Sequence, residues 1–207
     1  MITGREALQR LREGNQRFQA GIRSGGVSSP TRRNELTSGQ EPFAAILGCS
    51  DSRVPAEIVF DQGLGDLFVI RVAGNIVAPS QVGSVEFAAA RFGTPLVVVL
   101  GHSQCGVILA TLEEIRQATE PRSHNVRSIV DRVRPSVENL LTTDLRHDPD
   151  ALVHAAVRAN IQVSADHLRH GSDELEQRIR GGDLLVVGAE YSLETGVVDF
   201  FDGVPED

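Results

Sequence analysis

Four short, nearly continuous apolar runs constrain the fold of this chain more than any other feature. They are FAAIL (43–47), DLFVIRVA (66–73), PLVVVLG (95–101) and DLLVVGAEY (183–191). A strand with apolar side chains on both faces must be covered on both sides, which is typical of parallel strands in α/β proteins. The runs therefore predict a mainly parallel open sheet of about four strands.

Segments with a helical pattern separate these runs, as a parallel sheet requires. They are 5–21, 82–93, 105–119 and the long stretch 123–182, in which breaks are expected at Pro135, Pro149 and Gly171. After the fourth run, the turn SLETG leads into VVDFF (197–201), a short last strand expected to pair as an antiparallel hairpin. The prediction is an α/β fold with helices on both faces of the sheet.

Length and charge limit the classes of protein and partner. The chain has 207 residues, which predicts one domain over 1–207, with 1–41 as an N-terminal helix and connector arm. Its net charge of −8 argues against nucleic acid or an anionic membrane as the main partner. The polar N-terminus and the lack of a long apolar run predict a cytoplasmic protein. A structural disulfide is improbable there, so the two cysteines indicate metal binding, thiol chemistry or no special role.

Both cysteines follow predicted strands. Cys49 lies in GCSDSRVP after the first run, and His102 and Cys105 lie in GHSQCG after the third. The carboxyl ends of parallel strands meet at one edge of the sheet, so these three side chains can converge. Two thiolates and an imidazole suit zinc, which leaves a fourth position open at catalytic sites. Alone, either cysteine is more often a small core residue, but together the two segments favour a zinc site.

The motif CSDSR (49–53) followed by GHSQCG (101–106) resembles the bacterial type of β-class carbonic anhydrases, whose pattern is CxDxR and then HxxC. The resemblance is strong from residue 5 to about 118, loose over 120–180, and returns at GDLLVVGAEYSLETG. It implies a zinc enzyme that reversibly hydrates CO2 to bicarbonate and a proton.

The resemblance also implies the roles of the motif residues. Cys49, His102 and Cys105 would hold one Zn²⁺ per subunit, and zinc-bound hydroxide would attack CO2. Asp51 would orient the hydroxide and Arg53 would hold Asp51, although a surface ion pair is the plainer interpretation of such a pair. In a closed state, Asp51 would itself be the fourth zinc ligand. The change from the closed to the open state takes in water and releases a proton, so alkaline pH would favour the open state.

Substrate contacts and assembly are further implications of the resemblance. Gln40 matches a substrate-binding glutamine, and Phe68 and Phe87 match aromatic residues of a CO2 pocket, although core packing explains the phenylalanines equally well. The backbone N–H of Gly106, at a helix start, would bind a carboxylate oxygen. One pocket would draw residues from two subunits, which implies a homodimer or a homotetramer built as a dimer of dimers. The N-terminal helix would extend onto a partner subunit, with packing on its own subunit as the default alternative.

Two other functions remain open at this stage. Some relatives of this fold hydrolyse carbon disulfide or carbonyl sulfide with similar zinc ligands. A non-enzymatic protein that senses zinc or redox state through Cys49 and Cys105 is the second alternative, but it leaves Asp51, Arg53 and Gln40 without a purpose.

Overall fold

The sheet of the computed structural model is mainly parallel, as the apolar runs predict. The structure describes residues 2–24, 28–117 and 123–206, and within them the strands stand in the order β2-β1-β3-β4-β5. The strands are β1 (Ala44–Gly48), β2 (Leu67–Arg71), β3 (Leu96–His102), β4 (Leu185–Tyr191) and β5 (Val198–Asp202). The first four are parallel, and β5 pairs antiparallel with β4. Both the parallel sheet and the antiparallel last strand are therefore confirmed.

The four predicted segments contain helices, and two short helices lie outside them. They are α1 (Gly4–Gln19), α2 (Pro30–Glu35), α3 (Ala56–Val59), α4 (Pro79–Phe92), α5 (Gly106–Arg116), α6 (His124–Val137), α7 (Pro149–His170) and α8 (Asp173–Gly181). Four 3₁₀ segments, Leu36–Ser38, Ala73–Asn75, Glu138–Thr142 and Asp144–His147, complete the described elements. The short helix α3 was not predicted, and the last two residues of the predicted segment 105–119 lie outside the described residues.

Helices cover both faces of the sheet, and β1 and β3 are therefore buried along their whole length. One face packs on α1 and α3 through a core that includes Leu11, Ile46 and Phe60. The other face packs on α4 to α8 through a core that includes Val99, Ile108 and Ile161. This confirms the predicted layers. No helix of the described residues is both long and apolar enough to span a membrane.

Helix α1 packs its apolar stripe on its own chain, and its extension onto a partner subunit stays a prediction. Leu8 and Leu11 of its apolar stripe are buried against the sheet. The helix approaches α3 so closely that a Cβ on Gly14 would clash with the carbonyl oxygen of Phe60. Asn15, 3% exposed, donates to the carbonyl oxygens of Val59 and Gly196 at 3.1 and 2.9 Å. The apolar stripe is thus used within the subunit, the default alternative.

The predicted helix break at Pro135 is wrong. Helix α6 continues through Pro135 and ends at Val137. Proline removes one backbone N–H and so frees one carbonyl four residues earlier. Here that carbonyl belongs to Asp131, which is exposed, so water can replace the lost hydrogen bond. The helix ends two residues after the proline. The boundaries at Pro149, which begins α7, and at Gly171, which follows α7, are confirmed.

The register of the central strands brings three loops to one edge of the sheet. Gly48, the last residue of β1, lies between Arg71 of β2 and Leu100 of β3. His102, the last residue of β3, pairs with Tyr191 of β4. The loops that leave β1, β2 and β3 therefore begin side by side, at the carboxyl edge where open α/β sheets hold their sites.

Candidate metal centre

The structure brings Cys49, His102 and Cys105 together at the carboxyl edge of the sheet. Cys49 follows β1, His102 ends β3, and Cys105 is the N-cap residue of α5. The two sulfurs and a ring nitrogen all lie within 4.8 Å of one another. The side chains are buried, with exposed fractions of 4%, 0% and 1% for Cys49, His102 and Cys105. Three buried donors that face one point form a ligand set that fits zinc.

The hydrogen bonds of His102 leave one ring nitrogen free for a metal. Its Nδ1 lies 2.9 Å from the carbonyl oxygen of Ser103. A carbonyl can only accept, so Nδ1 carries the proton and Nε2 presents its lone pair. Nε2 is buried and has no hydrogen-bond partner among the described residues. A buried polar atom without a partner is costly, and a metal ion at this point would remove that cost.

A hydrogen bond between the two cysteine side chains shifts their pKa values in opposite directions. A hydrogen bond from Cys105, aided by the backbone N–H groups of Gly74 and Asp51, lowers the pKa of Cys49 against the effect of burial. The Cys49 sulfur in turn raises the pKa of Cys105, and burial raises it further. Without a cation, one negative charge is stable here and a second is not. A divalent cation reverses this balance and holds both sulfurs as thiolates.

The turn that carries the second half of the ligand set is tight. Gln104 adopts a positive φ of 54°, which is uncommon for a residue other than glycine. This bend lets the chain leave β3 at His102 and enter α5 at Gly106. Gly106 is exposed, and no heavy atom lies within 4 Å of the position that its Cβ would take. The side of Gly106 that a Cβ would occupy is therefore open.

Asp51 and Arg53 form a directed pair next to this centre. The Arg53 Nε and a terminal guanidinium nitrogen donate to the two Asp51 carboxylate oxygens at 2.9 and 2.7 Å, and the Arg53 backbone N–H donates at 3.0 Å. These bonds, led by the guanidinium, hold the pKa of Asp51 far below its usual range. The Asp51 Oδ2 lies 3.8 Å from His102 Nε2. An ionised carboxylate is thus fixed beside the ring nitrogen that faces the metal position.

Arg71, which was not among the predicted site residues, supports the loop that carries Cys49. From the end of β2 its guanidinium donates to the carbonyl oxygens of Cys49 and Asp51 at 3.1 and 2.7 Å. These bonds fix the backbone on either side of Ser50. The position of Arg71 at the carboxyl end of an adjacent strand is the sequence signal that could have identified it.

Three predicted substrate residues lie away from the metal centre in this chain. Gln40 precedes β1, at the amino edge of the sheet, in an exposed pocket with Arg10 and Phe92. Phe68 lies on β2, at the edge of the sheet, and pairs with Ala45 of β1. Its ring centroid lies 6.2 Å from that of Phe87, which is 53% exposed. The structure therefore brings together the predicted metal ligands, Asp51 and Arg53, but not these three residues.

Comparisons with known proteins agree on one family. A family model described as carbonic anhydrase matches residues 44–198. Carbonic anhydrase 2 of Mycobacterium tuberculosis is 43% identical over 190 residues, which cover 92% of this chain and 89% of that protein. The carbonic anhydrase of Mycolicibacterium smegmatis is 39% identical over 193 residues, which cover 93% of this chain and 91% of that protein.

Solved structures show the same fold. The β-carbonic anhydrase CcaA superposes with a TM-score of 0.73 at 28% identity, over 98% of this chain and 93% of that one. One of two tetrameric β-carbonic anhydrases from the ascomycete Sordaria macrospora superposes with a TM-score of 0.70 at 24% identity, over 84% of this chain and 87% of that one.

Proposed function

Because the chain belongs to the β-carbonic anhydrase family of enzymes, we propose that it catalyses the zinc-dependent, reversible hydration of CO2 to bicarbonate and a proton. The observation that supports this most is the buried cluster of Cys49, His102 and Cys105 with a carboxylate held beside it. Neither a surface ion pair nor core packing accounts for a bare, buried Nε2 on His102.

Cys49, His102 and Cys105 would hold one zinc ion. The protonated Nδ1 of His102 fixes the ring so that Nε2 faces the metal position. When bound, zinc lowers the pKa of a coordinated water and so supplies a strong oxygen nucleophile near neutral pH. Two anionic ligands reduce this effect, so the enzyme should work best above neutral pH.

Asp51 would orient the attacking oxygen by accepting its hydrogen at Oδ2, the carboxylate oxygen nearer His102. Arg53 makes this role feasible in two ways. Its guanidinium holds both carboxylate oxygens in place and keeps Asp51 ionised, so that Asp51 can only accept. A fixed acceptor aims the lone pair of the attacking oxygen at the carbon of CO2. The N–H of Gly106, at the start of α5, would bind an oxygen of bicarbonate.

The substrate pocket would be completed by a second copy of the chain. Gln40 lies at the amino edge of its own sheet, opposite the metal centre, so it can reach substrate only at another subunit's site. Phe87, largely exposed beside Phe68, would then be covered by that subunit. We therefore propose a cytoplasmic homo-oligomer, dimer or tetramer, in which each chain is one catalytic domain.

The decisive experiment combines metal analysis with a stopped-flow indicator assay of CO2 hydration. We expect about one zinc per chain and a hydration rate that a chelator abolishes and added zinc restores. Parallel assays with carbon disulfide and carbonyl sulfide should show little turnover. Zinc-loaded protein without CO2 hydration would refute the proposal, and turnover of a sulfur substrate alone would support that alternative.

The activity should also depend on pH through a second arrangement of Asp51. In the structure both carboxylate oxygens bind Arg53, the arrangement expected of an open state, in which zinc held by the three ligands would keep a position for water. In the closed state Asp51 would leave Arg53 and bind the metal, and opening would release one proton. Linkage then requires that raising the pH favours the open state. Because the pKa of Asp51 is strongly lowered, its own protonation cannot cause a loss of activity near neutrality.

We expect activity at alkaline pH that declines towards pH 7 and below, with Asp51 on zinc in an acidic crystal form and on Arg53 in an alkaline one. An acidic structure in which Asp51 remains on Arg53 would exclude the closed state. Fluoride or acetate at the metal must be avoided in both crystals, since either anion would displace Asp51.

A further inference from the structure

Two buried polar side chains on α7 are not explained by the proposed reaction. Asn160 and Ser164 are 2% and 4% exposed, and they lie one turn apart on the face of α7 that also buries Ile161. Polar groups are costly to bury unless they form hydrogen bonds. Asn160 Nδ2 donates to the carbonyl oxygen of Gly74 at 2.9 Å, and Ser164 Oγ donates to the carbonyl oxygen of Asn75 at 3.1 Å. Both bonds therefore hold the 3₁₀ turn after β2.

This turn contacts one of the proposed zinc ligands. The backbone N–H of Gly74 donates to the Cys49 sulfur at 3.3 Å. Gly74 and Asn75 have positive φ values of 73° and 43°, so two successive residues lie in the left-handed region. A Cβ on Gly74 would lie 2.9 Å from a Val107 methyl group, so the turn also passes close to α5. A turn in this uncommon conformation needs support, and α7 supplies it.

We propose that Asn160 is a positioning residue of the zinc site, which holds the carbonyl oxygen of Gly74 and so keeps the N–H of the same residue on the Cys49 sulfur. This inference rests on the proposed zinc function. A hydrogen bond to a metal-bound sulfur withdraws electron density from it, and groups that hold a ligand in this way set both its direction and its donor strength. Asn160 would thus act on Cys49 through Gly74, without touching the metal or the substrate.

The test compares Asn160→Ala with the wild-type protein after zinc is exchanged for cobalt. Without the Asn160 donor, the Gly74 N–H should leave the sulfur, which then keeps more negative charge. The sulfur-to-cobalt charge-transfer band should move to longer wavelength. The zinc dissociation constant at neutral pH should rise about tenfold, within the range known for groups that support metal ligands.

Asn15→Ala is the matched control, because Asn15 is likewise a buried asparagine that donates to backbone carbonyl oxygens. It lies on the opposite face of the sheet and holds two such oxygens, where Asn160 holds one. It should lower the midpoint of thermal unfolding while the cobalt band and zinc affinity stay at wild-type values. Asn160→Asp, which keeps the side-chain shape but loses the amide donor, should repeat the effect of Asn160→Ala.

Wild-type spectra and zinc affinity in both Asn160 variants would overturn the inference, as would equal changes in Asn15→Ala. Should neither Asn160 variant fold, the inference is tested by NMR on the wild-type protein loaded with an NMR-active cadmium isotope. Coupling between cadmium and the Gly74 amide proton through the Cys49 sulfur supports the inference, and its absence overturns it. A wild-type protein that binds neither zinc nor cobalt would instead refute the proposed function itself, so the two failures are distinguishable.

Discussion

Replacement of Cys49 or Cys105 by serine, or of His102 by alanine, is expected to remove bound zinc and to reduce CO2 hydration to the uncatalysed rate. Three protein ligands leave no redundancy, and the serine hydroxyl is a poor substitute for a thiolate at zinc. The fall in zinc affinity should exceed the roughly 10- to 100-fold that the loss of a supporting contact costs. Zinc per chain after gel filtration and the stopped-flow assay measure the two effects.

His154→Ala is the control for the ligand variants, since His154 has a 61% exposed side chain and lies outside the cluster. It should keep zinc and activity. Circular dichroism shows whether each ligand variant is folded, which matters most for His102 because its side chain is fully buried. A folded ligand variant with stoichiometric zinc and full activity would remove that residue from the ligand set.

Arg53→Ala is expected to keep zinc but lose activity by about 100-fold or more, the scale associated with a misplaced reacting group. The hydrogen bonds that Arg53 forms with the described residues go to Asp51 and not to the proposed ligands, so the metal should stay bound. Asp51, however, would lose the guanidinium that holds both of its oxygens. The loss should fall on kcat, because the orientation of the attacking oxygen matters in the reaction step and not in the encounter with CO2.

Arg53→Lys should recover only part of this activity, since an ammonium group cannot hold both carboxylate oxygens in one plane. Arg178→Ala provides the comparison, because it removes a guanidinium that pairs with Glu174 on the surface of α8. It should leave kcat unchanged. Wild-type kcat in folded, zinc-loaded Arg53→Ala would contradict the role proposed for the Asp51–Arg53 pair.

The sequence is sufficient to predict the sheet and the cluster for a simple physical reason. The apolar runs around Ile46 and Val98 must be buried on both faces, and this allows few arrangements other than a covered parallel sheet. Once the strands are parallel, residues just beyond their carboxyl ends must be neighbours. Cys49 and His102 therefore converge whatever the details of the intervening helices.

Contacts that depend on packing between distant helices were harder to predict. Asn160 is one polar residue in a long helical stretch, and its partner Gly74 lies after a different strand. The sequence does not show which group Asn160 contacts there. The placement of α1 had the same difficulty, since an apolar stripe with Leu8 and Leu11 fits its own sheet or a partner equally well. A signal for Asn160 did exist: it and Ser164 are polar residues spaced by one turn within the buried side of α7.

The order of the strands determines when, during synthesis and folding, the chain can bind metal. His102 and Cys105 are neighbours in sequence, but Cys49 joins them only when β1 pairs with β3, after the intervening β2 and α4 have been synthesised. Pairing of this kind is non-local and slow compared with helix formation. A nascent polypeptide on the ribosome thus has at most a partial chelate until its central sheet is assembled. Metal loading should accordingly follow folding, and the loaded ion would mark chains that have already reached their native topology.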